Sequence, residues 1–157
     1  MGHMSAALPL TGFYQFGFVT RDLDAATARL GERYGIARFR RKQANPWMQT
    51  AHAWAGDTMI EIIAVNAEAP PLYRDHLPDD GIARLHHLGY RIADQAGWAA
   101  LEEAISASGL AVPMKGAVMD GHLRYAYVDT RADLGIYTEY VCLTGPAERI
   151  YDDVPRS

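Results

Sequence analysis

Four polar residues sit where a strand interior ordinarily holds apolar ones: Gln15, Glu61, His87 and Glu139. Gln15 and His87 open two matching runs, Gln15-Phe16-Gly17-Phe18-Val19-Thr20-Arg21-Asp22 and His87-Leu88-Gly89-Tyr90-Arg91-Ile92-Ala93-Asp94, at a constant offset of 72. Glu61 and Glu139 occupy a second matching pair, Met59-Ile60-Glu61-Ile62-Ile63 and Tyr137-Thr138-Glu139-Tyr140-Val141. A carboxylate inside such a run is costly unless it is paired or bound to a cation. If the two copies close on one another, the four groups become one imidazole nitrogen, one amide oxygen and two carboxylates. The two negative charges neutralise a divalent cation, and these ligand types suit Zn, Ni, Co, Mn or Mg with positions left for water or substrate. Held there, the cation is a Lewis acid for a carbonyl compound.

Alternation of side chains along a strand sorts the neighbours. Tyr14, Phe16 and Phe18 have the bulk to lie under a following helix, so Gln15, Gly17 and Val19 face the other way. In the second copy Leu88, Tyr90 and Ile92 lie under the helix, while His87, Gly89 and Arg91 take the opposite, concave face. His86 has the parity of Leu88 and is read as a structural residue. Arg91, sharing the parity of His87, is a candidate partner for a substrate carboxylate or phosphate. Trp54, Tyr125 and Tyr127 are candidates to line the cavity with aromatic surface, and His52 is a candidate for substrate or ligand-supporting contacts.

The elements that must position these groups repeat as well. After Asp22, the spacing of Leu23, Ala26, Leu30 and Tyr34 predicts a helix that Asp22 caps and Gly35 closes. After Asp94, Trp98, Leu101 and Ile105 predict a second helix ending at Gly109. Three extended runs follow each helix: 36–41, 48–55 and 58–65 in the first half, and 111–117, 123–129 and 135–143 in the second. The expected organisation is a scar and N-terminal arm (1–11, with 1–4 left by cloning), a βαβββ module (12–65), a proline-rich linker (66–84), a second βαβββ module (85–143) and a polar tail (144–157). Its class is α+β, with the two modules forming a cupped, mostly antiparallel sheet.

Composition narrows the function. With 49% apolar and 22% charged residues in 157, the chain has material for a packed interior and is not a disordered segment. A net charge of −4 supplies no basic field to draw in nucleic acid or an anionic membrane. No apolar run is long enough to span a bilayer. One cysteine, Cys142, makes neither an internal disulfide nor a thiolate cluster. The expectation is a cytoplasmic protein acting on a small molecule. Each copy supplies half of a cup, so the halves pair within one chain or across two, and a homodimer is expected.

From Gly12 to Leu143 the chain resembles the vicinal oxygen chelate superfamily, which contains glyoxalase I, methylmalonyl-CoA epimerase, extradiol dioxygenases and bleomycin-binding proteins. The resemblance rests on Gln15 through Asp24, on His86-His87-Leu88-Gly89-Tyr90, and on Asp129-Thr130-Arg131 followed by Leu134 through Val141. It implies one metal ligand from the first and last strand of each module: Gln15, Glu61, His87 and Glu139. Zinc-type glyoxalase I is similar at all four places, whereas the epimerase branch has His and Gln where this chain has Gln15 and Glu61. Extradiol dioxygenases need two histidines on ferrous iron, and Gln15 replaces one of them, so Zn, Ni, Co or Mn fits better than Fe. The implied chemistry is that of a lyase or isomerase, in which a carboxylate takes a proton from carbon beside a metal-chelated carbonyl. Glu139 is the first choice for that base and Glu61 the second. An iron dioxygenase of aromatic diols and a metal-free, drug-sequestering binding protein are the alternatives.

Overall fold

In chain order the protein forms β1 (Phe13–Thr20), α1 (Leu23–Tyr34), β2 (Arg40–Asn45), β3 (Met48–Ala55), β4 (Thr58–Val65), α2 (Pro71–Arg74), β5 (Arg84–Ile92), α3 (Gln95–Ser108), β6 (Met114–Val118), β7 (Leu123–Val128), α4 (Arg131–Leu134) and β8 (Tyr137–Leu143). A 3-10 turn follows at Gly145–Arg149. The computed structural model describes residues 7–157, so the expected scar lies outside the described residues. Two copies of β-α-β-β-β are present, and the fold is α+β with a mixed sheet. The long helices start by one device. The Asp22 carboxylate accepts from the Ala25 N–H at 3.0 Å, and Asp94 accepts from the Gly97 N–H at 2.8 Å, each satisfying an amide that has no partner within its helix.

Tyr14–Leu88 together with Tyr151–Ser157 make up one compact unit, and 7–13 together with Gly89–Ile150 make up the other. β5 belongs to both, changing unit between Leu88 and Gly89.

In the first unit the strand order is β2-β3-β4-β1-β5. β1 and β4 are parallel, with Gln15 beside Met59 and Gly17 beside Glu61. β3 runs antiparallel to β4, setting His52 beside Glu61 and Trp54 beside Met59. β2 continues the ladder, with Arg40 beside His52. Paired residues share a face, so this register alone puts Gln15, Gly17, Met59, Glu61, His52, Trp54 and Arg40 on one side. The other side carries Ala51, Ile60, Ile62 and Ala64 into a core with Leu23, Ala26 and Leu30 of α1.

The second unit repeats the order as β5-β8-β7-β6. Here β7 pairs antiparallel with β8, with Tyr127 opposite Glu139 and Tyr125 opposite Val141. α3 buries Trp98, Leu101, Ala104 and Ile105. Among the described residues no helix is long and apolar enough to cross a membrane.

Three strands begin later than the sequence pattern predicts, β8 by two residues because Gly135 closes α4. β2 is Arg40–Asn45 rather than 36–41, because Ile36 is taken into the core and its N–H bonds back to the Gly31 carbonyl behind α1. Pairing starts only at a run that is polar except for Ala44, which reads as an edge strand and shows no alternation. β6 starts at Met114 because Pro113 has no N–H to give a ladder. The segment expected as a linker contains α2, whose Leu72 and Tyr73 are buried.

Tyr140, in β8, is almost fully buried and donates its hydroxyl to the Pro9 carbonyl at 2.9 Å. Burial, reinforced by Tyr90, pushes its pKa from 10.0 up to about 12. A phenol whose folded pKa is raised contributes its stabilisation fully below the unfolded value and loses it as pH climbs through the folded one. Alkaline titration followed by ultraviolet absorbance is therefore expected to show the Tyr140 phenol ionising late, near pH 12. Tyr140→Phe removes that late transition and costs about 1 kcal/mol at neutral pH through the lost hydrogen bond.

Candidate metal centre

Gln15, Glu61 and His87 meet on one face of the first unit. The parallel register of β1 and β4 brings the first two together. His87 enters from β5, and its imidazole lies over Gly17, where an added Cβ would stand 2.0 Å from the ring. Any larger residue would expel the histidine. His87 Nε2 is 3.1 Å from Gln15 Oε1 and 3.4 Å from Glu61 Oε1. The amide is turned this way by its own nitrogen, which donates to Met59 Sδ at 3.4 Å.

The proton positions follow from the partners. The Leu72 carbonyl can only accept, so His86 Nε2, 2.8 Å away, carries a hydrogen. Burial, and then the neighbouring charge of His87, push the His86 pKa down to about 3, so the ring stays neutral and its Nδ1 is a bare lone pair. His87 Nδ1, 3.0 Å away, must therefore donate to it. In neutral His87 the remaining nitrogen, Nε2, then has no hydrogen. Three lone pairs, from an imidazole, an amide and a carboxylate, converge on one another. Such groups repel unless a proton or a cation sits among them.

That arrangement fits a small divalent metal. Ligand atoms about 2.1 Å from such an ion lie about 3 Å apart along an octahedral edge, close to the two separations found. Among the described residues no group of three or more His, Cys, Asp or Glu side chains is arranged to hold a metal ion, so the donor set depends on the Gln15 amide. His52 does not add a ligand, because its nitrogen facing Glu61 carries the hydrogen of a 2.8 Å bond to Oε2.

Glu61 is held ionised. Burial alone would raise its pKa, but the hydrogen bond from His52, then the contact from His87, outweigh burial and keep the carboxyl well below the usual carboxylate range. The His87 contact is a donated hydrogen bond when that ring is protonated, and a cation takes the proton's place when it is neutral.

Of the other expected residues, Trp54 shares the face of His52 on β3. Its indole lies under the Arg156 guanidinium at 5.1 Å, and the Trp54 backbone N–H donates to the Pro155 carbonyl at 2.8 Å. In the second unit Glu139 is buried opposite Tyr127, and Tyr125 shares their face with its ring against Gly116. Arg91 is half-buried on β5, where its N–H donates to the Gly12 carbonyl at 2.8 Å. Sequence reasoning set His86 aside as structural and gave Arg40 no role. The adjacent-histidine motif was the available signal for His86, and the register opposite His52 was hidden by the misplaced start of β2.

Residues 14–127 match the model of the glyoxalase/bleomycin resistance protein/dioxygenase superfamily. No curated protein sequence matches the chain. Among solved structures, a variant methylmalonyl-CoA epimerase of Streptomyces coelicolor in complex with 2-nitronate-propionyl-CoA superposes with a TM-score of 0.65 at 21% identity, covering 87% of this chain and 100% of that one. Methylmalonyl-CoA epimerase from Mycobacterium tuberculosis gives 0.64 at 16% identity, covering 91% and 94%. A hypothetical protein of Bacillus halodurans gives 0.59 at 14%, covering 86% and 96%. These likenesses show the fold.

The contact between Gly17 and His87 gives a direct check. Gly17→Ala is expected to destabilise the protein by roughly 1–3 kcal/mol in denaturant unfolding, the ordinary cost of overpacking. Adding His87→Ala to that variant removes the obstructing ring and recovers part of the loss. Equal unfolding midpoints for Gly17→Ala and the unaltered protein would contradict the packing described.

Proposed function

Because the chain belongs to the glyoxalase/bleomycin resistance protein/dioxygenase superfamily, we propose that it is a divalent-metal-dependent isomerase or lyase that moves a proton on carbon beside a carbonyl of a small molecule. The observation that carries this reading is the convergence of Gln15 Oε1, Glu61 Oε1 and His87 Nε2, with His86 holding a hydrogen on His87 Nδ1 so that neutral His87 turns its lone pair to the other two. A divalent cation bound there supplies Lewis-acid polarisation of the substrate's carbonyl oxygen. Gln15, Glu61 and His87 would hold it, and the resemblance adds Glu139 as the fourth ligand. The donor set is one imidazole, one amide and carboxylates, which favours Zn, Ni, Co or Mn over the ferrous iron of a ring-cleaving dioxygenase.

The protein's own part is to hold and move a proton. Glu139 is the base of first choice and accepts the proton from the carbon next to the carbonyl. Glu61, kept anionic by His52, is the second choice and returns the proton or balances the charge. Trp54, Tyr125, Tyr127 and Arg91 are the substrate contacts of this reading. Two of the solved neighbours being methylmalonyl-CoA epimerases makes an acyl thioester with an acidic α-proton the first substrate to test.

The test joins elemental analysis with solvent-deuterium exchange. After supplementation with Zn, Ni, Co or Mn, the protein is expected to retain about one cation per chain, and Gln15→Ala and His87→Ala to lose it. Deuterium entering methylmalonyl-CoA, read by mass spectrometry, is expected to fall about 100-fold or more in Glu139→Gln. Full exchange by a metal-loaded Glu139→Gln protein removes Glu139 as the base. Failure to retain any of these cations removes the metal reading.

A further inference from the structure

Glu61 presents one oxygen to His87, and its other oxygen is engaged from the opposite direction. His52 Nε2 lies 2.8 Å from Glu61 Oε2, and His52 Nδ1 lies 3.4 Å from Arg40 Nη2. Arg40 Nη1 reaches Asp153 Oδ1 at 2.5 Å, and the guanidinium stands 5.9 Å over the ring of Tyr151. That ring is also 6.0 Å from His52, and its hydroxyl is 3.2 Å from the hydroxyl of Tyr14. The pairing of β2 with β3 reaches no further than Arg40 and His52. Beyond that point Trp54 donates to the Pro155 carbonyl at 2.8 Å and accepts from the Ser157 N–H at 3.0 Å, so the C-terminal segment extends the ladder where β2 leaves off.

The bonding leaves His52 one arrangement. A guanidinium has no acceptor, so His52 Nδ1 must accept from Arg40, and a carboxylate has no donor, so Nε2 must carry the hydrogen given to Glu61. The other tautomer would set a bare nitrogen 2.8 Å from Oε2, and the carboxylate would turn away. We propose that Arg40, clamped by the C-terminal segment Tyr151–Ser157, is a positioning residue for the candidate metal centre: it fixes the His52 tautomer, which aims Glu61 Oε1 at Gln15 and His87. This makes the chain's last residues a working part of the site, not a polar tail. It rests on the reading of Gln15, Glu61 and His87 as cation ligands. Arg40 acts through His52 and Glu61 and touches no substrate.

The test uses the full chain and two readouts. In the metal-free protein, long-range nitrogen–proton correlation spectra are expected to show His52 with its hydrogen on Nε2. Arg40→Met keeps the stem of the side chain but gives no donor. It is expected to lower the population of that tautomer, which Glu61 alone then supports, and to weaken Zn or Co binding in titration calorimetry by about 10- to 100-fold, the usual effect of losing an outer support of a ligand. Arg40→Lys restores a donor and is expected to recover the tautomer and most of the affinity. Asp153→Asn, on the exposed end of the chain of contacts, changes both readouts in the same direction by a smaller factor.

A lowered unfolding temperature in Arg40→Met with an unchanged tautomer and cation affinity would overturn the proposal, since the segment is then only a brace. An Nδ1 hydrogen on His52 in the unaltered protein overturns it outright. If the unaltered protein takes up no cation while Arg40→Met still shifts the tautomer, the positioning role stands and the metal reading falls. Cation binding that ignores Arg40 leaves the metal reading intact and removes the positioning role.

Discussion

Glu61 is a carboxylate in mid-strand whose neighbours Ile60 and Ile62 belong to the core, and its need for counter-charge organises much of the first unit. Two histidines answer it, one from the adjacent strand β3 and one from β5, and each must arrive with its hydrogens correctly placed. The register of four strands, the missing side chain at Gly17 and the sulfur contact that turns Gln15 all serve this one partly buried charge. Buried ion-pair networks of this kind contribute little net stability against an apolar alternative of the same volume. Retaining one inside a small domain points to use rather than to support.

The two histidines are prepared in opposite senses by the same rule. His86 faces a carbonyl and is neutral, so it holds a hydrogen on His87 Nδ1 and leaves Nε2 bare whenever that ring is neutral. Arg40 can only donate, so it holds the hydrogen of His52 on Nε2, toward the acid. A partner with a single hydrogen-bonding role decides the state of an imidazole that has two. Around one carboxylate the fold thus places one nitrogen suited to a cation and one suited to the acid itself.

Much of this was legible in the residues because it is locally encoded or repeated. Asp22 with Gly35 and Asp94 with Gly109 bracket the helices in sequence as they do in the fold, and strand alternation placed Gln15, Glu61 and His87 on inward faces. The supports were not legible, for physical reasons. β2 is polar at every position but Ala44, so no alternation announced that Arg40 would stand beside His52. Parity assigned His86 to the face opposite His87, yet the two rings meet edge to face at 90°, a contact that depends on ring rotation and not on strand face. Asp153 and Tyr151 belong to a segment whose position comes from pairing with β3, an encounter between residues about a hundred apart that no local pattern encodes.

The boundary of the sequence repeat and the boundary of the compact units do not coincide. His86, His87 and Leu88 begin the second copy, but they lie in the unit built from the first. The first copy by itself therefore possesses the glutamine and the acid without the imidazole. Severing the chain between the copies would separate donors that now share one unit.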